Sequence, residues 1–228
     1  MSRWIAPAYT WPGDHDAWDT IINRVVPGDL VVVNPDSGPG HQKSPLWADI
    51  CTQLQAKGAL LLGYIPLGYL GPLMNVGHRP TSVDEALLEA NRYSVWYALD
   101  GLFWDETPLT TPEALVGPLR RLHGQARGAL FTKGLRRGIS VFNPGTGPVP
   151  QAWLKALPGS VWVRFEGTAN SYPIAPLPNP THSAHLVHSC LPGEVGLVRQ
   201  EIAIQNPAYA MLTTDVPPNQ YDTPPLRP

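Results

Sequence analysis

Two apolar runs in this sequence end in acids. Gly101-Leu102-Phe103-Trp104 leads into Asp105 and Glu106, and Val161-Trp162-Val163-Arg164-Phe165 leads into Glu166. Carboxyl groups facing each other suit cleavage of a glycosidic bond. The oxocarbenium-like transition state needs a negative group on one side of the sugar ring and a proton donor for the leaving oxygen on the other. Repulsion between two such acids raises the proton affinity of one and keeps it protonated near neutrality. Other polar residues also close apolar runs: Tyr9, Asn34, Tyr64, Asn143, His188 and Asp215. Tyr9, Trp11, Tyr64 and Tyr69 would add flat apolar faces that match the C–H face of a pyranose, whereas Trp104, inside its run, reads as core. Plainer uses compete: Asp105 or Glu106 could cap the next segment or pair with Arg164, and the Asn-Pro turns at Asn34-Pro35 and Asn143-Pro144 could be turn chemistry alone.

Other chemistries find less support. His182, His185 and His188 recur every third residue, which on a strand sends neighbours to opposite faces, so no metal site is expected. There is no G-x-S-x-G elbow, P-loop or strand-linked G-x-G-x-x-G, and no cofactor is expected. The formal charge is -2, and the one basic cluster, Lys133, Arg136 and Arg137, reads as a solvated loop. No nucleic-acid partner follows. No apolar run approaches the ~20 residues of a membrane span, so no membrane partner is expected. The amino terminus lacks a secretory pattern, so the expected location is cytoplasmic or reached by a non-classical route. Cys51 and Cys190 make no disulfide framework. The expected partner is a polysaccharide; oligomeric state is left open.

The elements that would position the acids alternate along the chain. Strands are expected at 4–9, 30–34, 59–65, 101–105, 139–143, 161–166, 185–188 and 209–214, each a short run of the kind buried on both faces of a parallel sheet. Helices are expected at 14–26, 45–57, 82–97, 112–125, 150–157 and 194–205, with Asp14 and Ser82 as caps and Gly58 as a stop. The proline-rich 170–180 stretch predicts an irregular connection. With 228 residues, 27 prolines and 21 glycines, this pattern predicts an α/β fold: a single (β/α)8 barrel over 1–216, followed by a Pro-rich tail at 217–228 running over the surface. In such a barrel the active site forms at the carboxyl ends of the strands. Strand parity predicts that Asp105 and Glu106 are not equivalent, one pointing to the mouth and the other aside.

The motifs also resemble a known family, the spherulation-specific family 4 (spherulin-4-like) proteins. The matching pieces are Ala6-Pro7-Ala8-Tyr9 with Trp11-Pro12-Gly13, Asn34-Pro35 with Ser37-Gly38-Pro39-Gly40, Gly63-Tyr64 with Tyr69, and Tyr93 with Trp96-Tyr97. They continue in order through Asp100 to Glu106, Asn143-Pro144-Gly145-Thr146, Phe165-Glu166 and Thr214-Asp215. The resemblance implies a TIM-barrel glycoside hydrolase, endo-acting on an α-linked polymer containing N-acetylgalactosamine or galactosamine. It implies that Asp105, Glu106 and Glu166 are the acidic site residues. The expected roles are nucleophile for Asp105, general acid/base for Glu166, and a positioning or substrate-contacting acid for Glu106. Substrate-binding roles are expected for Tyr9, Trp11, Asn34, Tyr64, Tyr69, Asn143, His188 and Asp215. The alternative is a non-catalytic glycan-binding barrel in a cell-surface or virion assembly; a metal-dependent hydrolase is a weaker one.

Overall fold

Eight parallel strands close on themselves in sequence order, each paired with the next and the last with the first. The computed structural model describes residues 2–70, 82–109, 113–128, 137–145, 149–173, 180–218 and 220–228. The strands are β1 (Arg3–Ala8), β2 (Leu30–Val33), β3 (Leu60–Pro66), β4 (Gly101–Asp105), β5 (Ile139–Phe142), β6 (Val161–Thr168), β7 (Ser183–His188) and β8 (Tyr209–Leu212). Around them lie α1 (His15–Arg24), α2 (Pro45–Ala56), α3 (Val83–Tyr97), α4 (Glu113–Ala126), α5 (Gln151–Ala156) and α6 (Val195–Gln205). This is the expected single (β/α)8 barrel. Between β6 and β7 the described residues form short 3-10 turns, Ala169–Ser171 and Pro180–His182. Residues 174–179 of the expected irregular connection, like Lys133 and Arg136 of the basic cluster, His78, Pro112 and Thr146, lie outside the described residues.

Alternation along the strands sorts side chains into two layers. Ile5, Leu30, Val32, Leu62, Phe103, Val141, Val163, Leu186 and Met211 fill the barrel interior. The opposite faces carry Trp4, Val31, Val33, Leu61, Trp104, Phe142 and Trp162, which pack against helix residues such as Trp18, Trp47, Leu54 and Trp153. Helix starts follow the sequence: Asp14 accepts from Ala17 N at 3.1 Å, and Ser82 accepts from Glu85 N at 3.1 Å. Each satisfies a backbone donor that the first helical turn leaves unpaired. At the amino ends of the strands two buried acids fix register. Asp29 accepts from Trp4 N at 3.0 Å, and Asp100 accepts from Leu61 N at 3.0 Å.

Two local departures from regular geometry aim the site. The β6–β7 register shifts between Val163 and Phe165. Val163 faces the interior, and strict alternation would send Phe165 inward next; instead Phe165 packs edge-on against Tyr172 at 4.8 Å on the outer layer. The bulge re-phases the strand so that Glu166 faces the mouth. The second departure is at the end of β4, where Glu106 has φ 52°. That turn separates its side chain from that of Asp105, as parity predicted.

Residues 220–228 of the Pro-rich segment make inward contacts as well as surface ones. Tyr221 is buried and joins the interior cluster, and Leu226 pairs with Leu212 in an isolated antiparallel bridge. Arg227 pairs with the fully buried Asp29. Apolar burial at Tyr221 and Leu226 and a charge partner for Asp29 explain why a proline-rich segment is held down.

Candidate active site

At the carboxyl ends of the strands lies an open cavity of about 440 Å³, lined by Tyr9, Tyr69, Phe103, Asp105, Glu106, Asn143, Glu166, Leu186 and Tyr221 among others. Its polar centre is one side-chain amide. Asn143 Nδ2 donates to Asp105 Oδ1 and to Glu166 Oε2, each at 2.8 Å. Those two oxygens therefore stand no farther apart than twice that distance. Because the two hydrogens of an amide nitrogen diverge by about 120°, near-linear bonds set them roughly 5 Å apart. The amide's orientation is itself fixed, since Asn143 Oδ1 accepts from Gly145 N at 3.0 Å. Asn143 N donates to Trp104 O at 2.8 Å, and Thr107 N donates to Asn143 O at 2.9 Å, which ties the turn to β4.

Each carboxyl has a tyrosine on its other oxygen. Tyr64 donates to Asp105 Oδ2 at 2.8 Å, and Tyr221 donates to Glu166 Oε1. The rings of Tyr64, Tyr9 and Tyr221 form an edge-to-face chain with centroids 5.3 and 5.5 Å apart. Burial and the charge of Glu166 push the Asp105 carboxyl up to about 7, against the lowering effect of the Tyr64 hydrogen bond. Burial beside the Glu166 charge therefore favours the protonated form of Asp105 up to near-neutral pH. Burial, followed by the neighbouring charges, also raises Tyr9 and Tyr221 well above the usual phenol range. Both phenols stay protonated, and Tyr221 is the donor to Glu166.

Glu106 stands to one side. Its Oε2 accepts from Gly68 N at 3.1 Å and its backbone oxygen accepts from Tyr69 N at 2.6 Å. Leu67 N donates to Asp105 O at 2.9 Å. The end of β4 is thus stitched to the loop after β3, which sets Tyr69 at the rim with 43% of its surface exposed. His188 faces the mouth from the end of β7, its Nδ1 2.9 Å from Ser189 Oγ. Burial lowers its proton affinity, while Glu166 pulls the other way. With Arg164, Thr168, Ser171 and Gln220 it lines a second cavity of about 570 Å³, which shares Gly145, Glu166 and Gln220 with the first.

The structure thus brings Tyr9, Tyr64, Tyr69, Asp105, Glu106, Asn143 and Glu166 together, with His188 next door. Trp11, Asn34 and Asp215 line neither cavity. Asn34 Oδ1 accepts from Gly38 N at 3.0 Å, a turn bond. Trp11 is 71% exposed with its ring over Gly13. Asp215 accepts from Thr223 in the carboxyl-terminal segment. Tyr221, Gln220 and Arg164 were not singled out by sequence reasoning as site residues; for Tyr221 the one available signal was an aromatic isolated in a proline-rich stretch. Among the described residues no three His, Cys, Asp or Glu side chains converge as a metal site, and no helix is long and apolar enough to cross a membrane.

The elevated Asp105 has a consequence for stability. Its carboxyl binds a proton more tightly in the folded chain, at about 7 against 3.8. The stabilisation from that proton is complete below about pH 4 and is lost as pH rises through about 7. Asp105→Asn removes this dependence. Its melting temperature relative to the parent should therefore rise between pH 4 and pH 8, by about 2–4 °C for each kcal/mol in a chain of this size. Solvent at the mouth trims the effect. Parallel melting curves of parent and variant across that range would count against a buried, proton-holding Asp105.

A closed barrel of eight parallel strands, with two carboxyl groups joined by one amide at its carboxyl-end mouth, defines a TIM barrel. The chain belongs to the spherulation-specific family 4 (Spherulin4), whose model matches residues 3–225. Among solved structures it is similar to Aspergillus clavatus Sph3 in complex with GalNAc, at 24% identity and a TM-score of 0.76, over 97% of this chain and 92% of that one. It is also similar to an endo-beta-N-acetylglucosaminidase from Cordyceps militaris, at 13% identity and a TM-score of 0.52, over 86% of this chain and 76% of that one. At these identities the likeness establishes the fold. No curated protein sequence matches the chain.

Proposed function

We propose that this protein is a retaining, endo-acting glycoside hydrolase for a polysaccharide containing N-acetylgalactosamine or galactosamine. The observation that carries the reading is the Asn143 amide, which holds Asp105 and Glu166 side by side on the floor of an open cavity. A separation of roughly 5 Å between the facing oxygens agrees with the ~5–5.5 Å of retaining glycosidases and is short of the ~6.5–9.5 Å that leaves room for an attacking water. Family membership and the sugar in the similar Sph3 structure support the substrate class.

In this reading an Asp105 oxygen attacks the anomeric carbon as the bond to the leaving sugar breaks, and Glu166 gives its proton to the departing oxygen. Water then attacks the same carbon, Glu166 takes the water's proton, and the ester bond to Asp105 breaks. Asp105 must give up its proton before it attacks, and Glu166 must hold one before it protonates the leaving oxygen. Glu106 acts by positioning Asp105 and the Tyr69 rim. The shared wall at Glu166 supports endo action, since the cleft continues on both sides of the proposed proton donor.

The test is incubation with a panel of galactosamine- and glucosamine-containing polymers, with products sized by mass and their first-formed anomer read by NMR. The expected result is internal fragments from the galactosamine polymers, with anomeric configuration retained. Affinity for these polymers without any turnover would overturn the reading in favour of a glycan-binding barrel.

A further inference from the structure

We infer that Tyr221, supplied by the segment after the last strand, is a positioning residue that holds the Glu166 carboxylate in the plane its proton transfer needs. This rests on the glycosidase reading of the pair. Glutamate has three side-chain torsions, and Glu166 forms a wall between two cavities, so one hydrogen bond would leave its carboxylate free to swing about that bond. Two prevent it: Asn143 on Oε2 and Tyr221 on Oε1. Of the two, only Tyr221 is specific to Glu166, since Asn143 also serves Asp105.

Tyr221 can hold Glu166 because it is itself held. Its ring is buried edge-on to Tyr9, and its carbonyl accepts from Tyr9 N at 3.0 Å. The next carbonyl, of Asp222, accepts from Thr10 Oγ1 at 3.0 Å. Farther along, Arg24 donates to the carbonyls of Pro224 and Pro225 at 3.3 and 3.0 Å, and Trp4 Nε1 donates to Leu226 O at 3.0 Å. Arg227 ends the run on buried Asp29. Residues 220–227 form a strap fastened along its length, with its one interior side chain aimed at the catalytic pair. Charge-assisted hydrogen bonds of this kind are the strong ones.

Tyr221→Phe separates positioning from packing, because it keeps the ring against Tyr9 and removes only the hydroxyl. The expected result is a kcat reduced about 10- to 100-fold, a KM within about twofold, and an alkaline limb of the pH–rate profile moved to higher pH. A residue that serves packing alone would leave that limb in place. Titration of the pair's carboxyl groups by 13C NMR, in parent and variant, should show the same upward movement and needs no substrate. Parent-like kcat and an unmoved limb in an active enzyme would overturn the inference. If the parent cleaves no polymer, the glycosidase reading fails by itself, and an unmoved NMR titration then overturns the Tyr221 contact independently.

Discussion

Asp105→Asn and Glu166→Gln should each lower kcat by about 10²- to 10⁴-fold on any polymer the parent cleaves, with the fold intact. The two carboxyls act as a unit around one amide, so the double variant should be little worse than the poorer single one. Azide assigns the roles. In Asp105→Ala the vacated space admits azide in place of the nucleophile, and a glycosyl azide of inverted configuration should form. In Glu166→Ala the covalent intermediate still forms from an activated substrate, and azide should capture it with retained configuration. The opposite pattern would exchange the two roles while leaving the glycosidase reading standing. Parent-like turnover in both isosteric variants would remove the acids from the mechanism altogether.

Gly101→Ala should destabilise the fold strongly. A Cβ at this position would sit 2.2 Å from Ile139 O and 2.8 Å from Ile139 C, backbone atoms of the adjacent strand. Backbone cannot yield as a flexible side chain can, and β4 and β5 pair here in register, Gly101 against Ile139. Overpacking of this kind costs about 1–3 kcal/mol, and contact with backbone places it near the upper end, roughly 6–12 °C in melting temperature for a chain of this size. Gly193→Ala is the control, at a glycine with nothing within 4 Å of the added Cβ and no positive φ. A melting point for Gly101→Ala within a degree or two of the parent would show that the strands can separate more cheaply than their close approach indicates.

The barrel was legible because each strand is a short apolar run and three of the helices carry their own start signals, at Asp14, Pro45 and Ser82. Residues at strand ends were legible for the same reason, and Tyr9, Tyr64, Asn143 and Glu166 meet at the mouth. Three features were not. Alternation alone would have turned Glu166 outward, and the bulge that corrects it is a backbone event without a residue signature in Arg164-Phe165. Asn34 and Asn143 open similar turns, yet only Asn143 follows a strand whose neighbours present carboxyls; identical local sequence chemistry has different partners. Tyr221 lies beyond the eighth strand, and its approach to Glu166 depends on long-range contacts such as Trp4 with Leu226 that no local pattern encodes.

The strap also bears on how the barrel closes. Direct pairing between β1 and β8 is limited to Arg3 with Tyr209 and Trp4 with Ala210. Toward the mouth the gap is spanned by residues 221–226, through Tyr9 with Tyr221, Thr10 with Asp222 and Leu212 with Leu226. These contacts join opposite ends of the chain, so loop-closure entropy opposes their formation until much of the remaining barrel is in place. The seam and the hydroxyl on Glu166 belong to the same segment. A barrel that has not yet locked its seam therefore lacks one of the two groups that orient Glu166, and the order in which the chain folds becomes the order in which it can acquire activity.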